Sequence, residues 1–431
     1  KNPYTPTKNV ELTKALANFH ADAFDKQNEL YFTEEAFDDF YAGKGSTYPD
    51  LHGSIGILFE QASSRGHLQE SINGDLDFPT TIKNQVTASF STLEGSLAHK
   101  TDLLDFQWQF AREASELADK ANHDCYILSE SLDKSRFTAL LSLLNRHDIK
   151  AYPLTRDVKI GGKNYPKEHS VYVPLEQPQV RLIQSIFSEQ KSFNDNTFYD
   201  VSSWNLAMAY NVDFAKVKSQ RSVKIAKQEW QANNVQTSVL PEKANYSFAI
   251  DWADYQSPAL IYALLKEGIE LRTSMKAFTA HTETGLQSFA AGTMLVNAGL
   301  QNGDWYQSFK GIVAQYPVKV AAITSGMSPL GSDLGSRTMV PVKLPKVLIV
   351  GGLGANLYEV GEAWYLFDRH VGFSPTIVDK RRINNIDLAK YTHVILTDGS
   401  FSKSDDTFAK ALKTWVKNGG IVWGQKRGAL W

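Results

Sequence analysis

The spacing of apolar and polar positions divides this chain into short strands alternating with amphipathic helices. Leu12, Leu16, Phe19 and Ala23 recur at helical spacing and predict a first helix. Thr33 followed by Glu34-Glu35 predicts a second, capped by a hydroxyl with acids in its first turn, that breaks at Gly43-Lys-Gly45. The run Ile55-Gly-Ile-Leu-Phe59 is short enough for one buried strand, and Glu60 leaves it at its C-terminal end. A carboxylate after such a run is costly to bury unless something uses it. Phe78-Pro-Thr-Thr81 reads as a turn, and residues 86–97 as a closing helix or a strand and helix.

Between residues 101 and 340 the pattern occurs twice. A strand over 125–128, a helix over 137–144, the segment 149–152, a strand over 170–174 and a helix over 180–187 form a first copy within 124–190. A strand over 246–250, a helix over 259–265, the segment 269–272, a strand over 289–296 and a helix over 305–313 form a second within 245–315. A small polar turn precedes the first helix of each copy, Asp133-Lys-Ser135 and Tyr255-Gln-Ser257. Strands alternating with helices predict α/β layers, and the duplication predicts two similar lobes or one pseudo-symmetric sheet. The stretch 194–243, with Trp204 and Trp230, reads as helical linker and packing.

After a turn-rich linker over 325–335, Lys346-Val-Leu-Ile-Val-Gly-Gly352 opens a third pattern. It has helices over 361–370 and 407–417 and strands over 375–379, 393–398 and 421–423. Gly352-Leu-Gly354 with Asp379 imitates a dinucleotide fingerprint. Its third glycine position holds Leu357 and the helix starts late, so no NAD site is expected.

Composition narrows the classes. At 431 residues the chain is long enough for two to four domains. Its 42% hydrophobic and 12% aromatic content excludes long disorder. With 45 basic against 47 acidic residues and no polybasic run, neither nucleic acid nor an anionic membrane is an expected partner. No apolar stretch is long enough to predict a membrane span. Cys125 is the single cysteine, lies in an apolar strand and reads as a buried small hydrophobe.

The run from Tyr31 to Tyr48, continuing through Phe59-Glu60 to Gly66, resembles the last catalytic segment of the zinc carboxypeptidase family, in its divergent bacterial branch. The resemblance covers residues 1–100. It implies the C-terminal part of such a domain, with zinc as metal, a peptide as substrate, Glu60 as general base and a periplasmic or extracellular location. In that family the zinc ligands are a His-x-x-Glu pair and a later His, all ahead of the Glu. Only His20 and His52 precede Glu60, and neither begins His-x-x-Glu, so the chain reads as starting after the ligands. Tyr48, 12 residues before Glu60, is the candidate for the family's mobile substrate-binding tyrosine. His67-Leu-Gln-Glu70 has the right spacing but follows Glu60, and reads as an exposed turn of helix.

The stretch Gly419-Gly-Ile-Val-Trp-Gly-Gln-Lys-Arg-Gly-Ala429 resembles the nucleophile elbow of the class I glutamine amidotransferase-like fold, with Lys426 where the cysteine would stand. This implies a domain that is truncated and lacks its nucleophile. The expected fold is therefore α/β and multidomain: a peptidase-domain remnant over 1–100, duplicated α/β lobes over 101–340, and a C-terminal flavodoxin-like or amidotransferase-like domain over 341–431. The alternative function is a non-catalytic peptide- or glycan-binding α/β module, with Trp204, Trp230, Trp252, Trp305 and Trp364 as stacking surfaces.

Overall fold

The computed structural model describes every residue except 36–37, 193–202, 233–237, 243–244 and 402–405. It is a mixture of helix and sheet. Contacts divide it into two units, Lys1–Ser131 with Phe137–Asn234, and Leu132–Arg136 with Val235–Trp431. The expected boundary at 100 falls inside the first unit, and residues 101–340 are shared between both.

The first unit begins with α1 (Thr7–Asp25), the short α2 (Thr47–Asp50), the hairpin β1 (Leu68–Ser71) and β2 (Gly74–Asp77), α3 (Phe78–Ala98) and α4 (Lys100–Lys120). Leu12 and Leu16 are buried, as the helical spacing predicts. Leu12 packs with Phe106 and Phe110 of α4, and Gly95 of α3 lies beneath Leu16 and Phe19, where an added Cβ would meet Leu16 at 3.1 Å.

Several expectations for this stretch are overturned. No strand forms over 55–59. Gly56 is pressed against the carbonyl of Ser46, its N–H donates to Asp50 at 2.9 Å, and no neighbouring strand pairs with the run. The helix expected from Thr33 is absent among the described residues, and Glu34 adopts a left-handed φ of 59°. The buried carboxylate of Asp39 instead holds the chain irregular, accepting from Ser46 Oγ at 3.0 Å and Thr47 Oγ1 at 2.5 Å. Residues 78–81 are a helix start rather than a turn: Asp77 accepts from the Thr80 N–H at 2.8 Å, and Pro79 sits in the first turn, where its missing N–H costs nothing.

The rest of the unit is β3 (Cys125–Ser129), α5 (Lys134–Arg146), β4 (Tyr152–Pro153), β5 (Val158–Ile160), β6 (Lys163–Tyr165), β7 (Ser170–Pro174), α6 (Val180–Ile186), α7 (Leu206–Ala209) and β8 (Asp213–Val217). An antiparallel sheet runs β4-β7-β3-β8, with Ile127 facing Tyr172 on one side and Ala215 on the other. Every residue of β3 is buried, which an apolar run between two neighbours requires. Each fully buried Ile or Leu in it contributes about 1.5–3 kcal/mol. Cys125 lies within this strand as a free thiol, and burial pushes its pKa up to about 12. The stretch 194–243, expected as helical linker, supplies the edge strand β8; part of it lies outside the described residues.

The second unit holds β9 (Ser247–Ile250), α8 (Ser257–Lys266), β10 (Leu271–Ser274), β11 (Phe278–Thr282), β12 (Gly285–Phe289), β13 (Met294–Asn297), α9 (Trp305–Val313), β14 (Val320–Ile323) and β15 (Met339–Val342). Its antiparallel sheet runs β12-β11-β14-β9-β13-β10-β15. The four strands β10-β13-β9-β14 follow the same chain order as β4-β7-β3-β8, and a hairpin precedes the third strand in each. The strand expected over 289–296 is two strands, because Gly292 at a φ of 92° turns the chain between them. In this unit the segment Leu132–Arg136 and the turn before α8 cap one another. The buried Asp133 accepts from the Tyr255 N–H at 3.0 Å, and the buried Asp254 accepts from the Ser135 N–H at 3.2 Å.

The chain then forms β16 (Val347–Gly351), α10 (Leu357–Tyr365), β17 (Thr376–Asp379), β18 (His393–Leu396), α11 (Asp406–Lys417), β19 (Ile421–Gly424) and α12 (Lys426–Leu430). All four strands are parallel, in the order β17-β16-β18-β19. The helix expected over 361–370 starts earlier, where Asn356 accepts from the Tyr358 N–H, and passes into a wider π-helical turn over Leu366–Val371. Among the described residues no helix is long and apolar enough to cross a membrane.

Candidate functional site

Two places carry chemistry-bearing residues. The first is the segment around Glu60. Glu60 follows Phe59 on an irregular stretch and is exposed. The ring of Phe59 meets His20 edge-on at 4.9 Å, while Leu58 points outward. Gln61, the next residue in the chain, lines a groove of about 600 Å³ with Ser64, Phe78, Ile82, Val86 and Phe90; Glu60 itself is not in its lining.

Tyr48 lies in α2, and its hydroxyl is hydrogen-bonded to Nδ1 of His147 at 2.7 Å. Its ring stacks on His52 at 4.0 Å, and burial raises its pKa. No hydrogen bond or ring contact among the described residues joins Tyr48 to Glu60. His67 and Glu70 are not on a helix, as expected, but on a hairpin, with His67 at a φ of 75°. His67 lies just before β1 and Glu70 within it, and no hydrogen bond or ion pair joins the two among the described residues. Among the described residues no group of three or more His, Cys, Asp or Glu could hold a metal ion. Glu60 is therefore the one residue here whose fit to zinc chemistry is in question.

The second place is the C-terminal edge of the parallel sheet. Chain order reverses between β16 and β18, so their ends flank a switch point, where open α/β sheets gather ligands. Lys426 is the first residue of α12, separated by Gln425 alone from the end of β19 at Gly424, and has a φ of 45°. Two glycines make this turn possible. A Cβ on Gly424 would meet Ala429 at 2.7 Å, and one on Gly428 would run into the carbonyls of Leu396 and Thr397. The result is a sharp strand-to-helix turn with small neighbours.

Its charges are satisfied internally. Lys426 Nζ donates to Oε1 of Glu359, a buried residue of α10, and Glu359 Oε2 accepts from the Asp398 N–H at 2.8 Å. Arg427 grips Asp398 with Nε at 2.6 Å and Nη2 at 2.9 Å, a bidentate pair that holds the Asp398 pKa down to about 2. The hydrogen bond from Lys426 likewise lowers the Glu359 pKa and raises that of the lysine. Above the crevice the loops are tied: Asn356 N–H donates to the Asp398 carbonyl at 2.8 Å and Ser400 N–H to that of Gly354 at 2.7 Å. An amine kept protonated is no nucleophile.

Glu359 and Asp398 escape sequence reading because they lie 67 and 29 residues from their partners. The only signal was an acid closing the apolar run of β18. Asp379, the acid of the imitation fingerprint, is engaged by Arg381 at 2.6 and 3.0 Å. Of the expected stacking tryptophans, Trp230 and Trp305 pack against cores and Trp204 meets Phe40 edge-on, whereas Trp252 and Trp364 are exposed. Comparison with protein-family models, with curated proteins and with solved structures finds no match to the chain.

Proposed function

We propose that residues 1–100 are the C-terminal part of a zinc carboxypeptidase-like domain that removes residues from the C-terminal ends of peptides. Glu60 is its general base, and the zinc ligands lie in polypeptide preceding Lys1. The observation that carries the reading is the Phe59-Glu60 step itself: an exposed carboxylate that closes an irregular apolar segment, next in the chain to Gln61 of the groove. Its sequence context supplies the resemblance.

Zinc, when bound, lowers the pKa of a water molecule toward ~7 and polarises the scissile carbonyl. With zinc held by ligands outside this chain, Glu60 would serve as the general base, taking a proton from the attacking water. It then delivers the proton to the leaving amine as the C–N bond breaks, so that a shortened peptide and a free amino acid result. Tyr48 takes no part unless its hydroxyl leaves His147. The duplicated lobes and the parallel-sheet region serve as accessory layers, the latter an amidotransferase-like elbow without its thiol. A periplasmic or extracellular location belongs to the same reading. The test is the natural gene product with peptides bearing free or amidated C-termini. Release of the C-terminal amino acid only from the free form, lost on chelation, supports the proposal; cleavage of neither form contradicts it.

A further inference from the structure

Beyond Gly56, whose N–H is anchored by Asp50, no backbone hydrogen bond among the described residues holds residues 57–61. Side chains are left to fix the end of this segment, where Glu60 stands. Ile55, Ile57 and Phe59 line one cavity of about 390 Å³ with Leu16 and Phe106, while Leu58 and Glu60 are exposed. Phe59, the residue before Glu60, has one ring partner among the described residues. Its ring and that of His20 meet edge to face, with centroids 4.9 Å apart and planes at 86°.

His20 is built into a rigid place. It belongs to α1, which packs on α3, whose buried face includes the small residues Ala88, Ser91 and Gly95. Ser91 Oγ donates its single proton to the Ala88 carbonyl at 3.1 Å, so toward His20 Nδ1, 2.7 Å away, it can only accept. Nδ1 therefore carries the ring's proton, and Nε2 is the bare nitrogen. Nε2 is buried with no hydrogen-bond partner, and burial lowers the pKa of the ring. A charge there is costly, so the imidazole is neutral. A buried polar atom left unpaired calls for a reason. This ring has one edge tied to α3 and a contact with residue 59; an aliphatic side chain would fill the same space without fixing an angle.

We propose that His20 is a positioning residue: Ser91 fixes the angle of its ring, the ring sets Phe59, and Phe59 sets the direction in which Glu60 leaves the segment. The inference deepens the peptidase reading and rests on it, since a general base works only within hydrogen-bond reach of the proton it takes. A misplacement of about 1 Å can cost ~10²-fold in rate.

The experiment compares variants of the natural gene product. It reads kcat and KM for release of the C-terminal amino acid, zinc content, and the fluorine resonance of a fluorophenylalanine placed at position 59. His20→Asn keeps a donor for Ser91 and removes the ring; His20→Phe keeps the ring and removes the donor. His20→Asn lowers kcat by roughly 10-fold or more with KM and zinc unchanged, and moves the fluorine line to its unfolded-chain value. His20→Phe restores kcat to within a factor of a few. Ser91→Ala, with a good helix former in α3, unties the imidazole and lowers kcat in the same direction; it decides the matter if His20→Asn does not fold. Natural kcat in Ser91→Ala or in folded His20→Asn, a change in KM alone, or equal losses in the two His20 variants overturns the proposal. Hydrolysis absent from the natural protein itself contradicts the peptidase reading and the positioning with it. Hydrolysis undiminished by His20→Asn overturns the positioning alone.

Discussion

Glu359 reaches from α10 to the ammonium of Lys426, at the turn from β19 into α12, and holds it in an ion pair. The contact decides what the turn can do. A lysine whose proton is held by a buried carboxylate can neither attack an acyl group nor replace a thiolate.

Glutamine hydrolysis at this turn should accordingly be absent, and Lys426→Cys alone should not create it, because among the described residues no histidine is hydrogen-bonded to Lys426 or Arg427. Ammonia release from glutamine, measured for the natural chain and the variant, stays at the blank. Hydrolysis that disappears on replacing Lys426 would contradict the assignment.

The same turn predicts a stability effect. Gly428→Ala drives a methyl group into the carbonyls of Leu396 and Thr397, which are backbone and cannot swing away. Overpacking of this kind costs about 1–3 kcal/mol. A thermal melt should show the loss, whereas Gly361→Ala, with open space around its Cβ, should be neutral or slightly stabilising.

The regions legible in the sequence were those whose partners lie close along the chain or whose pattern was long. The strand at Cys125, the helix over Trp305–Val313 and the four parallel strands formed where spacing placed them. Spacing failed where a distant group took over. Asp39 captures Ser46 and Thr47 and leaves irregular a stretch whose local propensity is helical. The 55–59 run has strand composition, but a strand is defined by a neighbour, and none of the described residues pairs with it. Likewise the strand before Lys426 could be read in order, whereas the ion pairs of Lys426 and Arg427 to Glu359 and Asp398 required the fold.

Acid should weaken the first unit. Burial lowers the pKa values of His20, His123 and His147 below the ordinary 6.5, with Lys216 adding to the effect at His123 and His52 and Arg146 at His147. The unfolded chain therefore binds these protons first as pH falls, and stability rises with pH. It is fullest above about pH 7 and declines as pH drops through 6.5 toward the lower folded values. Urea midpoints of the first unit at pH 7.5 and 5.0 check this; an unchanged or higher midpoint at pH 5.0 would contradict it.

Residues 1–431 alone should hold zinc below one equivalent after dialysis, since among the described residues no hydrogen bond or ion pair joins His67 to Glu70 and no three-ligand group is present. Elemental analysis decides. Stoichiometric zinc lost on His67→Ala would place the metal in this chain and remove the proposed arrangement.

The most direct test of the central claim is Glu60→Gln in the natural gene product, with zinc content and hydrogen exchange measured beside the release of C-terminal amino acids. The substitution keeps the size of the side chain and removes its capacity to accept a proton. Removing a general base costs ~10²–10⁴-fold in rate. The account predicts a loss of that order with metal and fold unchanged. Activity within a factor of a few of the natural protein would contradict it.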